Sequence, residues 1–125
     1  MRHIEKLQPI FIMSFFKDGK SLAGSRLDEA EILRAAGFKF KECLRAYKGE
    51  TERSWVVIDD NLLTKQRLLT LADKYKQESV LERKSNSQCY IIMWSRDILQ
   101  HISLGQWSSV PELFAKKIGQ LYLRF

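Results

Sequence analysis

The run from Pro9 to Phe16, Pro-Ile-Phe-Ile-Met-Ser-Phe-Phe, constrains the fold more than any other stretch of the chain. It is apolar at nearly every position and does not alternate. A strand with one wet face alternates, so an unbroken run of this length fits a central strand covered on both faces. By pattern alone it also fits a buried helical segment. Its isoleucines and phenylalanines favour the strand. The run is too short to cross a membrane and has no small-residue cleavage site, so it is read as a first core strand and not as an anchor or leader.

The rest of the chain supplies partners for such a strand. Ser25 is an N-cap candidate with Asp28 three residues on, and Glu29 and Glu31 follow where a helix dipole favours acids. A helix is expected over Asp28–Ala36, ended by Gly37. In Phe38 to Tyr47, Phe38, Phe40, Leu44 and Ala46 share one strand face, and Lys39, Lys41, Cys43, Arg45 and Tyr47 share the other. Glu42 falls on the apolar side, which predicts a bulge or an edge position there. A hairpin through Gly49 leads into a strand over Ser54–Ile58. Asp59, Asp60 and Asn61 offer cap chemistry for a second helix over Leu62–Lys76. Glu-Ser-Val-Leu-Glu-Arg and Gln-Cys-Tyr-Ile-Ile-Met-Trp-Ser then read as strands joined through Ser85-Asn86-Ser87, and Asp97 to Trp107 as another. Ser109 and Glu112 form a capping box for a third helix over Pro111–Ile118, before a last strand in Gln120 to Phe125. This order predicts an α+β fold: one mostly antiparallel or mixed sheet with about three helices packed on it, in a single domain over residues 1–125.

Charge and cysteine usage narrow the setting. The 125 residues carry 21 Lys and Arg against 15 Asp and Glu, a net charge of +6. That balance favours acidic partners such as nucleic acid. The two cysteines, Cys43 and Cys89, are too few for a secreted disulfide scaffold, so the chain reads as cytoplasmic.

No catalytic set stands out. Asp18-Gly19-Lys20-Ser21 carries the Gly-Lys-Ser end of a phosphate loop, but Ser14 occupies the position of its first glycine. His3 and His101 lack zinc spacing, and no metal or cofactor is expected. A Cys89–His101 pair requires their strands to be neighbours; the competing reading of both thiols is packing. The glutamates Glu50 and Glu52 read as a solvated turn. The best lead is the basic strand face of Lys39, Lys41, Arg45 and Tyr47, continued by Lys48 and by Lys17, Lys20 and Arg26 of the first loop. It is suited to phosphate contact and base stacking. The competing reading is a strand face that meets solvent. Trp55 and Trp94 belong to apolar runs. Trp107 sits in a loop, as an interface anchor or as the closing edge of the core.

Several short motifs also occur in a recognisable order. Ser14 ends an apolar strand, a basic loop runs from Lys17 to Arg26, and a helix ends at Gly37. Tyr47, Gly49, Glu52 and Ser54 form an aromatic-Gly-x-x-Glu-x-Ser hairpin. Tyr75, Gln77, Glu78, Ser79, Val80 and Leu81 form a Tyr-x-Gln-Glu-Ser-Val-Leu segment. In this order the chain resembles a family of small phage and bacterial proteins of unknown function, over roughly Pro9 to Ile92. It departs from the family pattern by lacking an Asn beside Arg26 and by carrying the extra Glu50. The resemblance implies a small accessory protein of a phage or mobile element, with no implied reaction. It makes Glu52, Ser54 and Gln77 structural or ligand-orienting residues, with Glu52 expected to accept hydrogen bonds from the Arg26 loop. Three function classes remain: a non-enzymatic nucleic-acid-associated protein, a protein-binding modulator of a host defence or replication enzyme, and a small enzyme, for which no convincing catalytic set is found.

Overall fold

A computed structural model describes residues 8–47, 50–95, 98–107 and 122–124. The apolar run opens as β1 (Ile10–Met13), buried at all four positions. Antiparallel neighbours flank it on both sides: β5 (Glu50–Ile58), with Phe11 opposite Val57, and β6 (Ser79–Arg83), with Ile12 opposite Leu81. Beyond β5 come β4 (Phe40–Tyr47) and β9 (Tyr122–Arg124); beyond β6 come β7 (Gln88–Ser95) and β8 (Ile98–Gln106). Among the described residues the sheet has seven strands, in the order β8-β7-β6-β1-β5-β4-β9. Each pairing is antiparallel. The expected α+β class and mostly antiparallel sheet are present.

Both faces of this sheet are apolar, which is why β1 shows no alternation. On one face Phe11, Met13, Trp55, Val57, Val80 and Ile92 pack with Leu33 of helix α1 (Arg26–Ala35) and with Leu68 and Ala72 of helix α2 (Thr64–Lys74). On the other, Ile10, Ile12, Cys43, Leu81, Cys89, Ile91 and Leu104 form a second buried cluster. Two helices occur among the described residues; the expected helix over 111–118 lies outside them.

Local chemistry sets the element ends. Ser25 caps α1, its Oγ accepting from Asp28 N at 3.2 Å. At α2 the expected caps act one step displaced. Leu63 takes the N-cap position without a side-chain bond. Asn61 Oδ1 accepts from Leu63 N at 2.9 Å, and Asp60 Oδ1 accepts from Thr64 Oγ1 at 3.3 Å.

One expectation needs correction and another is narrowed. The Asp18-Gly19-Lys20-Ser21 segment is not an open loop but the turn of a small second sheet, β2 (Phe16–Lys17) paired with β3 (Lys20–Ser21). Asp18 and Gly19 have φ of 53° and 76°, the left-handed pair that a two-residue hairpin turn demands. Of the two alternatives for Glu42 the bulge is absent, since β4 and β5 stay in register from Phe40 to Tyr47, and the edge position fits, since among the described residues β9 pairs β4 only from Leu44 to Ala46. Glu42 remains on the apolar side, opposite Trp55, because its carboxylate reaches the Arg26 guanidinium at 2.7 Å.

Candidate functional site

The basic residues singled out in the sequence do not form one surface. Lys17 and Lys20 are exposed and directly opposite each other at the β2–β3 tip. That hairpin is tied to the helix-bearing face, since the Arg53 guanidinium lies 5.1 Å from the Phe16 ring centre and Gln77 Nε2 donates to Phe16 O at 3.1 Å. Lys41 shares the opposite face with buried Cys43. Carboxylates hold two of the remaining cations. Arg26 binds Glu42, and Lys39 Nζ lies 3.6 Å from Asp60 Oδ2. Arg45 stands opposite Glu52 in the β4–β5 register, as Tyr47 stands opposite Glu50. Lys48 lies outside the described residues.

Glu52 is not the partner of Arg26, which is engaged by Glu42. The motif residues around it have framework roles. Gln77 is buried and bonds the carbonyls of both Phe16 and Tyr75 at 3.1 Å. Ser14 Oγ donates to Arg53 O at 3.2 Å and accepts from Phe16 N at 3.0 Å, which turns the chain from β1 into the hairpin. Ser54 is fully buried opposite Cys43, and its Oγ makes no hydrogen bond.

The buried carboxylate that matters is Glu29, which sequence inspection assigned to dipole compensation at a helix start. Its side chain is fully buried on α1. Arg53 grips it in a fork, Nε to Oε1 at 3.1 Å and Nη2 to Oε2 at 2.5 Å, and Trp55 Nε1 donates to Oε1 at 2.9 Å. Burial pushes the Glu29 carboxyl up. The hydrogen bonds from Arg53, Trp55 and Ser21 together outweigh it and hold the group below its ordinary value. The sequence did hold a signal: Arg53 and Trp55 are two apart on one strand, so both project toward α1. With its oxygens committed to these donors, Glu29 is a lock between α1, β5 and the hairpin.

The Cys89–His101 pair is also excluded as a couple. The two strands do pair, yet His101 stands opposite Ile92, on the helix-side face, while Cys89 points into the other cluster. Burial raises the Cys89 thiol to about 11, with Arg83 opposing that shift. A thiol so held is inert at neutral pH. A second carboxylate neighbourhood escaped sequence inspection: Lys65 reaches buried Glu82 at 3.4 Å. The Asp59 carboxyl is raised there by burial and by Glu82.

Trp107 closes the core edge. Its ring packs against the cluster opposite the helices, under the Arg83 guanidinium at 4.8 Å, and the Trp107 backbone N–H donates to Ser87 O at 2.7 Å. Trp55 is in the core and Trp94 packs at its margin.

Among the described residues, several exposed apolar side chains lie on β8 and just before α2. Leu62, before α2, is 99% exposed, and Leu63 follows at 60%. Ile98, Leu99 and Ile102 of β8 are exposed too. Between α2 and β7–β8 runs an open groove of about 530 Å³, lined by Leu62, Lys65, Leu69, Asp73, Trp94 and Leu99. No helix among the described residues is long and apolar enough to cross a membrane. No group of three or more His, Cys, Asp or Glu among them is placed to hold a metal. No protein-family model matches the chain, and no curated protein matches it as a relative.

Proposed function

We propose that the protein acts by binding, as a small non-enzymatic accessory protein of a phage or mobile element, and that its partner is a protein engaged at the β8–α2 end. The observation that carries this reading is the apolar surface there. Leu62 and Leu99 are exposed along the groove, Leu63 is exposed next to Leu62, and Ile98 and Ile102 are exposed on the other face of the same strand β8. Grouped apolar exposure on a folded chain is a mark of protein contact. The ion pairs that hold Arg26 and Lys39 count in its favour, because they remove charge from the competing basic surface.

Nucleic-acid contact is the second reading, supported by the hairpin tip. Lys17 and Lys20 are directly opposed, an arrangement that like charges disfavour and that a bound phosphate relieves. A photo-crosslinking residue placed at position 62 or at position 17 in the native cell separates the two. A discrete protein adduct from position 62 is expected. A nucleic-acid adduct from position 17, with none from position 62, would reverse the order.

A further inference from the structure

Among the described residues β8 ends the sheet, and its two halves are protected differently. Near its C-terminal end Ser103 pairs with Tyr90 and Gly105 with Cys89, so Leu104 is an extra residue in a bulge. A bulge twists an edge away from new partners. The first half, Ile98 to Ser103, is regular and exposed throughout. It has no proline and no Lys, Arg, Asp or Glu, the residues with which proteins blunt an edge. Its outer backbone N–H and C=O groups are a template for one more strand.

We propose that the occupant is a second copy of this chain, paired antiparallel through β8 about a two-fold axis at Gln100. The inference rests on the reading of this end as a protein-contact surface, and it names the partner. Side-chain parity restricts the choice, because directly opposed residues must share a face. Within the regular segment that leaves axes at Gln100 or at His101. An axis at His101 sets Leu99 against Ser103 of the other copy and Gln100 against Ile102. The axis at Gln100 sets Ile98 against Ile102 twice, Leu99 against His101 twice, and Gln100 against itself. It therefore covers the two exposed isoleucines, 63% and 39% exposed in the single chain, with each other. Each copy carries +6, but the seam itself holds no Lys, Arg, Asp or Glu, so repulsion between those charges acts at a distance where salt screens it. The two-fold stands perpendicular to the sheet. Both helix layers thus lie on one side, and the two α2 grooves open onto a shared trough across the seam.

Three measurements test this. Light scattering from low to high micromolar protein should show a shift toward twice the monomer mass, strengthened by added salt. Gln100→Cys should form an intermolecular disulfide under mild oxidation. Its two Cα atoms would stand roughly 4.5–5.5 Å apart, within the span of a disulfide. Ser103→Cys should not, and the native thiols are buried. Gln100→Lys sets like charges directly opposed and should weaken association by about tenfold or more, with an unchanged circular dichroism spectrum. A parent that stays monomeric throughout overturns the proposal, as does a dimer indifferent to both Gln100 variants. If the chain is monomeric while position 62 still crosslinks to another protein, the contact surface stands and the second copy does not. If neither is seen, both fall.

Discussion

The hairpin–α1–β5 junction and the β8 edge treat their exposed chemistry in opposite ways. At the junction each strong group has a partner in the same chain: Glu29 takes donors from Arg53 and Trp55, Ser14 bridges β1 to β5, and Gln77 bonds two carbonyls. At the edge isoleucine and leucine are exposed, and among the described residues β8 has a strand neighbour on one side only. The first region is complete alone and contributes to stability. The second is incomplete alone, so its contribution has to come from outside. The contrast also reassigns the motif residues Ser14 and Gln77, which hold the hairpin in place.

Removing Glu29 is the hardest blow to the complete region. Glu29→Ala leaves the Arg53 guanidinium half-buried and the Trp55 N–H without its acceptor, and should cost about 3–5 kcal/mol in urea unfolding. It should leave association at β8 untouched. The same carboxylate gives a pH signature. Its folded-state value lies below the ordinary one, so its stabilising contribution is full above pH 4.5 and is lost as pH falls through the folded value. Stability of the parent should therefore fall on acidification below that point, and the Glu29→Gln variant should lose less over the same window. Equal losses would mean that other carboxylates govern acid unfolding.

The backbone frame was legible because its signals are local. A continuous apolar run marked the central strand, and Ser25 with Asp28 marked the start of α1. Alternation marked β4, and the spacing of Asn61 marked the approach to α2. The site was less legible because it depends on which strands become neighbours. Nothing near Glu29 in sequence announces Arg53, 24 residues away, and only the β5 register aims Arg53 and Trp55 at the same helix. The partners of two basic residues were hidden for the same reason. Lys39 and Arg26 look free in sequence, yet they acquire Asp60 and Glu42 once β4 lies beside its neighbours. The β8 segment read only as one more strand, because a sequence pattern does not tell an edge from a centre.

Gln77 sharpens the comparison at intermediate size. Its buried amide ties the end of α2 to the hairpin, and Gln77→Ala withdraws a donor from Phe16 O and Tyr75 O. A loss of about 1–3 kcal/mol is expected, with the hairpin amides exchanging faster in hydrogen-exchange measurements. Faster exchange in β8 instead would show that the two regions are not independent.

Arg26→Ala should matter less. The Arg26–Glu42 pair is 2.7 Å long, but its arginine side chain is 60% exposed and screened by water. A thermal-unfolding change of about 0.2–1 kcal/mol is expected, shrinking in high salt. A larger loss, unaffected by salt, would mean that Glu42 needs its cation to lie on the apolar side of β4, which would place part of the complete region's stability here.

The smallest expected effect falls on the incomplete region. Ile98 is 63% exposed, so Ile98→Ser removes little apolar area from the interior of the single chain. Its unfolding free energy at high dilution should stay within about 0.5 kcal/mol of the parent. At high concentration the two should diverge, because the parent alone gains stability by mass action when Ile98 packs on Ile102 of a second copy. Concentration-dependent melting of the parent beside a concentration-independent variant is the expected pair of curves. A variant that is destabilised even at high dilution would show that Ile98 already packs against its own chain, and the contrast between a complete and an incomplete region would lose its second half.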